Sequence, residues 1–274
     1  MTITDVFSPT LFKGKTVAVT GGGSGINLGI AKTFASLGAN IAICGRTQEK
    51  LDAARAEIEA LGAKVVANSA DVRDLAAVEA FLSGTVEALG PCDVVVAGAA
   101  GNFLCAAEAM SSNAFKTVVD INLIGSFHAA KAAHAQLAET SGSIIFISAA
   151  QAFMPFEFQA HAGAAKAGVD QLMRQLALEW GRANIRANCI VPGPVEGTKG
   201  VASLLANPSL KTQLLDTIPA GRFGTFEDIG AAAAYLASPL ASYVTGTTLI
   251  ADGGQYLNGT GVLNTATRAL LAPA

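Results

Sequence analysis

The feature that most narrows what this chain can become is an alternation: short, β-branched apolar runs take turns with longer segments of helical period along almost its whole length. The runs are residues 16–19, 40–44, 64–68, 93–97, 143–148, 185–191 and 247–250. Between them, residues 25–37, 48–61, 75–89, 113–138, 162–182 and 226–237 carry apolar side chains at helical spacing. Strand and helix in repetition are the mark of βαβ units, and right-handed crossovers between parallel neighbours put helices on both faces of one sheet. Val94-Val95-Val96 and Ile144-Ile145-Phe146-Ile147 are apolar without alternation, as burial on both sheet faces demands. The expectation is an α/β fold, a doubly wound seven-stranded parallel sheet, built as a single domain over residues 1–274. Residues 192–209 read as a loop.

Composition excludes several classes of function. Apolar residues make up 51% of the chain and charged residues 14%, which is high for a monomer and places some apolar surface between subunits. A homodimer or homotetramer is expected, since the small residues of 113–138 and 162–182 let helices approach closely across a two-fold axis. The most apolar stretches, such as residues 229–236, fall short of the roughly 18 uninterrupted apolar residues of a membrane span. The net charge is −3 and the 18 basic residues form no run, so no nucleic-acid partner is expected. Cys44, Cys92, Cys105 and Cys189 form no CxxC pair and follow no secretory signal. Reduced thiols in a cytoplasmic protein, without a metal site, are the expectation.

Directly after the first run stands Thr20-Gly21-Gly22-Gly23-Ser24-Gly25-Ile26-Asn27, opening the first helical segment. Glycines there let the chain turn tightly and bring backbone N–H groups close to a pyrophosphate, which the positive end of a helix also favours. A glycine cluster alone is a weak sign, but this one heads a βαβ unit near the N-terminus. It predicts a dinucleotide site on a Rossmann-type sheet, with Gly21, Gly23, Ser24, Gly25 and Ile26 at the phosphates. After the second run, NAD calls for an acidic residue on its ribose hydroxyls and NADP for a basic one on its 2′-phosphate. Here Gly45-Arg46-Thr47 follow with no carboxylate. Arg46 points to NADP(H) over NAD(H), the alternative being an ordinary solvated loop cation. Asp71 has two readings, an acceptor for the adenine amino group or a structural neighbour of a helix cap.

These pieces, taken with others in order, resemble the short-chain dehydrogenase/reductase family over residues 11–254. The matching segments are residues 20–25, Ala70-Asp71-Val72, Asn122 within Asp120-Ile121-Asn122-Leu123-Ile124-Gly125, Lys166 within Ala165-Lys166-Ala167, Pro192-Gly193-Pro194 and Asp252-Gly253-Gly254. The resemblance implies that Val72, Ala99, Ala100, Pro192, Gly193 and Val195 complete the coenzyme site, and that Lys166 and Asn122 are catalytic. Lys166 would hold the nicotinamide ribose and add positive charge. Asn122 would hydrogen-bond a water or the substrate carbonyl, its alternative being a helix-interior side chain bonding the backbone.

The departures from that family are informative. Its usual proton donor is a tyrosine four residues before the lysine, with a serine thirteen residues before the tyrosine; here those positions hold Ala162 and Ala149. Asn27 stands where a glycine is usual, and Ala97-Gly98-Ala99-Ala100 where Asn-Asn-Ala-Gly is common. The branch that the chain resembles despite these absences is the 2,4-dienoyl-CoA reductases, particularly the peroxisomal type. The resemblance lies in Ala99-Ala100-Gly101-Asn102-Phe103-Leu104, Asn113-Ala114-Phe115-Lys116-Thr117-Val118 and His161-Ala162-Gly163 with Lys166. It implies a small-molecule acyl thioester substrate, in which NADPH delivers hydride to C5 and the dienolate is protonated nearer the thioester, giving a 3-enoyl-CoA.

Such a substrate tolerates the missing phenol. Reducing a carbonyl makes an alkoxide that needs a nearby acid. Hydride addition to a conjugated thioester instead spreads charge to an oxygen that donors, each worth roughly 3 kcal/mol, can hold. Gln151, Glu157 and His161, with Ser148 just before them, are the candidates for a replacement acid, and residues 153–158 form an apolar wall for an acyl pocket or a subunit contact. Three activities stay open: a thioester reductase, another short-chain reductase with a replacement acid, and a catalytically silent dinucleotide-binding protein.

Overall fold

Seven parallel strands form one sheet in the order β3-β2-β1-β4-β5-β6-β7. The structure is a computed structural model that describes residues 2–198, 201 and 208–259. The strands are β1 (Thr16–Thr20), β2 (Asn40–Gly45), β3 (Val65–Ser69), β4 (Val94–Ala97), β5 (Ser143–Ile147), β6 (Arg186–Pro192) and β7 (Thr248–Ala251). The helices between them are α2 (Gly25–Ser36), α3 (Gln48–Glu59), α4 (Leu75–Leu89), α5 (Ser112–Val119), α6 (Gly125–Thr140) and α7 (Ala160–Trp180), after a short α1 (Ile3–Val6). Two more, Pro208–Asp216 and Phe226–Ala237, precede β7. The doubly wound parallel sheet read from the alternation is the fold observed, with strand and helix limits shifted by a few residues at most.

Each sheet face carries its own core. On one face Val17, Val19, Ile41 and Ile43 pack with Ile30 and Phe34 of α2, Leu51 and Ile58 of α3, and Ile229 and Leu236 of the last helix. On the other, Ala18, Val95, Ile144 and Phe146 pack with Phe81 of α4, Ala133 and Leu137 of α6, and Met173 of α7. Strands β1, β4 and β5 are buried at every position, which is why their sequences run apolar without alternating. Cys44 and Cys189 are buried as expected, and burial pushes the Cys44 thiol up to about 12.

Two helices meet through small residues. A Cβ on Gly29 of α2 would stand 2.5 Å from Phe226 Cβ, and one on Gly230 of the last helix would collide with Thr33 Oγ1. The absence of side chains at Gly29 and Gly230 therefore lets α2 lie directly on the Phe226–Ala237 helix.

One expected element is corrected. The helix read over residues 113–138 is not continuous: α5 and α6 are separated by a π turn, Asp120–Ile124. Side chains compete with the backbone ladder there. Asn122 Nδ2 donates to the Val118 carbonyl at 2.9 Å, and Ser126 Oγ donates to the Asn122 carbonyl at 2.6 Å. Gly125 has no Cβ to meet Val72, which allows the turn to lie against the segment after β3. The helix Pro208–Asp216 was not expected, and the greater part of the loop read over 192–209 beyond Thr198 lies outside the described residues. Among the described residues no helix is long and apolar enough to cross a membrane.

Candidate active site

Strand order reverses between β1 and β4, and the crevice at the carboxyl ends of these strands is where such sheets bind ligands. A cleft of ≈ 270 Å³ opens there. Gly21, with φ +71°, turns the chain out of β1, and the Gly21 and Gly22 amides donate to the Cys44 carbonyl at 2.8 and 3.2 Å. A Cβ on Gly22 would stand 2.6 Å from Ile43 Cγ2, so the loop can lie against β2 only as glycine. Ser24 is the N-cap of α2, and its side chain accepts no capping bond. The N–H groups of the first turn therefore have no acceptor within the helix and face an anion-binding end.

Of the residues expected at the coenzyme, Gly21, Gly23, Ser24, Arg46, Asp71, Val72, Ala99 and Ala100 line this cleft. Gly25, with φ +60°, and Ile26 form the adjoining first turn of α2. Arg46 is exposed, lines the cleft beside Lys50, and makes none of the ion pairs among the described residues. Asp71 is held as a carboxylate. Arg73 grips it through Nε at 3.0 Å and Nη2 at 2.5 Å, and these bonds, then the Arg73 amide and the Arg46 charge, hold its carboxyl below the usual range against the opposing pull of burial. Helix α4 is capped by Asp74, whose amide donates to the Asp71 carbonyl at 3.0 Å.

Pro192 ends β6, at the carboxyl edge of the sheet. Gly193 lines a second cavity with Arg222, Asp228 and Asp252, and Val195 is buried in a bridge to Gly224. Neither Gly193 nor Val195 lines the first cleft.

Lys166 is buried on α7 and donates through Nζ to the Ile147 carbonyl at 2.6 Å. Burial pulls its ammonium down to about 8, while Cys189 and Asp170 act in the opposite sense. Asp170, one helical turn along, is itself buried and accepts a bond from Ser148 Oγ. Sequence reasoning missed Asp170. The signal was its i,i+4 spacing from Lys166 within a helical segment.

Asn122 joins two elements. Its Nδ2 donates to the Gly101 carbonyl at 2.8 Å as well as to Val118, so the π turn is tied to the loop after β4. Two carbonyls on one nitrogen fix the carboxamide's orientation and use both of its N–H bonds.

The candidate replacement acids fare differently. Glu157 is exposed. Gln151 Nε2 is bonded to Gln159 Oε1 at 3.0 Å. His161 is fully buried with neither ring nitrogen partnered, its ring edge-on to Phe103 at 4.4 Å. Ala162 is buried on α7, and Ala149 leads the short turn Ala150–Ala152. The two departures in the coenzyme loops, Asn27 and Gly98, are in contact: Asn27 Nδ2 donates to the Gly98 carbonyl at 2.8 Å.

This architecture has known counterparts. The family model described as enoyl-(acyl carrier protein) reductase matches residues 21–255. The peroxisomal 2,4-dienoyl-CoA reductase SPS19 [(3E)-enoyl-CoA-producing] of Saccharomyces cerevisiae is 45% identical over 256 residues, covering 92% of this chain and 87% of that protein. The peroxisomal 2,4-dienoyl-CoA reductase of Rattus norvegicus is 41% identical over 255 residues, with coverage of 92% and 87%. Among solved structures, a gluconate 5-dehydrogenase from Burkholderia cenocepacia in complex with NADP and tartrate superposes with a TM-score of 0.84 at 29% identity, covering 90% of this chain and 98% of that one. Sequence, strand order and cleft agree, and the chain belongs to the short-chain dehydrogenase/reductase family.

Proposed function

We propose that this protein is an NADPH-dependent reductase of conjugated enoyl and dienoyl-CoA thioesters, acting as its relatives named 2,4-dienoyl-CoA reductase do. The observation that carries this reading is the catalytic end itself. A buried lysine with a lowered proton affinity stands one helical turn from Ala162 and bonds the Ile147 carbonyl, two residues before Ala149, with no hydroxyl at either alanine to protonate an alkoxide. A ketone reductase needs that acid, whereas a conjugated thioester moves charge toward its own oxygen.

The residues present fit a nicotinamide dinucleotide. The unpartnered first-turn amides of α2 suit a diphosphate, and Arg46 with Lys50 suits a 2′-phosphate. When bound, the coenzyme supplies the hydride. Lys166 holds a positive charge at the reacting end, anchored by the Ile147 carbonyl, while the Ser148–Asp170 pair beside it supplies the balancing negative charge. Because both N–H bonds of Asn122 are spent, its Oδ1 serves as an acceptor, which suits a water and not the thioester carbonyl. A water held there is the proton source in this reading.

The protein works as a homodimer or homotetramer in the same reading. Phe115, Ile124 and Phe127 on α5, the π turn and α6, with Leu178 on α7, are exposed apolar side chains that a second copy would cover. Sedimentation of a monomer at micromolar concentration would contradict this.

The activity test is NADPH consumption by the purified protein. Turnover with a 2,4-dienoyl-CoA but not with simple ketones is expected. Turnover of ketones, or coenzyme binding without turnover of any thioester, would overturn the reading in favour of a replacement acid or of a silent binding protein. Replacing Arg46 by Ala is expected to weaken NADPH binding roughly tenfold while leaving NADH binding nearly unchanged, as measured by coenzyme titration.

A further inference from the structure

Two lips of the coenzyme cleft, the loop after β1 and the end of β4, are tied together by side chains. Asn27, in the first turn of α2, is separated from Gly98 by 71 residues in sequence. Its Nδ2 donates to the Gly98 carbonyl at 2.8 Å and reaches the Gly21 carbonyl at 3.4 Å. Its Oδ1 is buried with no partner and rests over Gly98, where an added Cβ would collide with it. The same Cβ would stand 2.6 Å from Asn27 Cγ and 2.8 Å from Nδ2. Gly21 is equally confined: a Cβ there would lie 2.9 Å from Ala99 Cα and 3.0 Å from Asn27 Nδ2. Thr20 adds a second stitch, its Oγ1 accepting the Gly98 and Ala99 amides at 3.1 and 3.2 Å. Gly21, Asn27, Gly98 and Ala99 all line the cleft.

An unsatisfied buried oxygen costs free energy, which the two donated bonds and the close fit over Gly98 have to offset. The carboxamide therefore acts as a spacer of fixed size between the lips. We propose that Asn27 is a positioning residue that presets the width of the diphosphate cleft, and that Gly98 is its obligate partner because the carboxamide fills the space a side chain at 98 would need. With the gap set in advance, the coenzyme has no loops to order on binding, and the benefit falls in affinity. This inference rests on the coenzyme-binding reading above.

The test is a cycle of N27G, G98A and N27G/G98A, titrated with NADPH by fluorescence and followed by thermal melting and steady-state assay with a dienoyl-CoA. N27G is expected to weaken coenzyme binding roughly tenfold, with the loss in the coenzyme KM and not in kcat. G98A should weaken it further, and the double variant should recover to the level of N27G or better, because the new methyl then occupies the vacated space. If G98A fails to fold, the double variant still decides the matter, since it must fold and bind at least as well as N27G. Binding by N27G within about twofold of the parent, or a double variant no better than G98A and worse than N27G, would overturn the proposal. A lowered melting temperature with an unchanged coenzyme KM would also overturn it, as that is what a merely structural contact gives. A parent protein that binds neither NADPH nor NADH would overturn the functional reading together with this one, whereas a parent that binds while the cycle fails overturns this one alone.

Discussion

The dinucleotide end of the cleft and the lip formed by residues 102–105 and 151–159 differ in how much backbone holds them. At the dinucleotide end backbone and side chains act together: the Gly21 and Gly22 amides donate to Cys44, Asn27 and Thr20 tie the loop to Gly98, and β1 is buried between paired strands on both sides. At the lip, residues 102–105 meet residues 151–159 mainly through side chains. Asn102 Nδ2 and Gln151 Nε2 share the Gln159 Oε1 at 2.7 and 3.0 Å, and one backbone bond joins the Cys105 amide to the Phe158 carbonyl at 2.9 Å. Phe103, Phe153, Phe156 and Phe158 are exposed there, and Phe158 carries a φ of +63°, which a bulky side chain adopts only at a cost. The rigid end suits a ligand part that is the same in every turnover. The lip leaves apolar surface exposed and one backbone position strained.

The largest effect is expected at Lys166, which belongs to neither end. Lys166→Ala should lower kcat/KM for a dienoyl-CoA by on the order of 100- to 1000-fold in a steady-state assay. The parent's pH profile follows from the lysine's lowered value of about 8: its charge is lost as pH rises through that value, so activity falls on the alkaline side. Asp170→Asn removes a charge that props the ammonium up, and should move this limb to lower pH. A profile with no alkaline inflection would break the assignment. The stability contribution has the opposite sign. Between about 8 and 10.5 the unfolded chain holds this proton and the folded chain does not, so this group makes the fold more stable as pH climbs through that window.

Next in size is Gly22→Val, which drives a side chain into Ile43 and should cost about 3 kcal/mol in denaturant unfolding. Parent-like stability would mean that the dinucleotide end yields as readily as the lip. The smallest effect is expected from Phe158→Gly. It relieves the left-handed backbone and should raise stability by no more than about 1 kcal/mol, with coenzyme affinity unaltered in titration. A large change in coenzyme affinity would erase the distinction between the two ends.

The same division decided what could be read from the chain beforehand. The strands and the phosphate loop were legible because burial on both faces leaves apolar runs such as Ile144-Ile145-Phe146-Ile147, and because a glycine against Ile43 admits no substitute. The π turn was hidden, since Asn122 is held by a tertiary partner, the Gly101 carbonyl, that periodicity does not encode, while Ser126 bonds back to the Asn122 carbonyl within the turn. Asp170 was hidden for a related reason: a carboxylate on a helix reads as solvated until a second element, here Ser148, closes over it. The contact between Asn27 and Gly98 joins positions far apart in sequence, and only the fold shows that the two departures answer one another.

The seating of α2 against the helix Phe226–Ala237 has a bearing on how the molecule comes into being. Gly29 and Thr33 of α2, the helix that opens on the cleft, meet Phe226 and Gly230, each 197 residues further along the chain. A nascent chain leaving the ribosome thus carries its nucleotide loop on a helix with one flank uncovered, and long-range closures of this kind are slow to form. A chain cut short before residue 226 is expected to leave this flank of α2, and the core it shares with Ile229 and Leu236, open to chaperones or to aggregation.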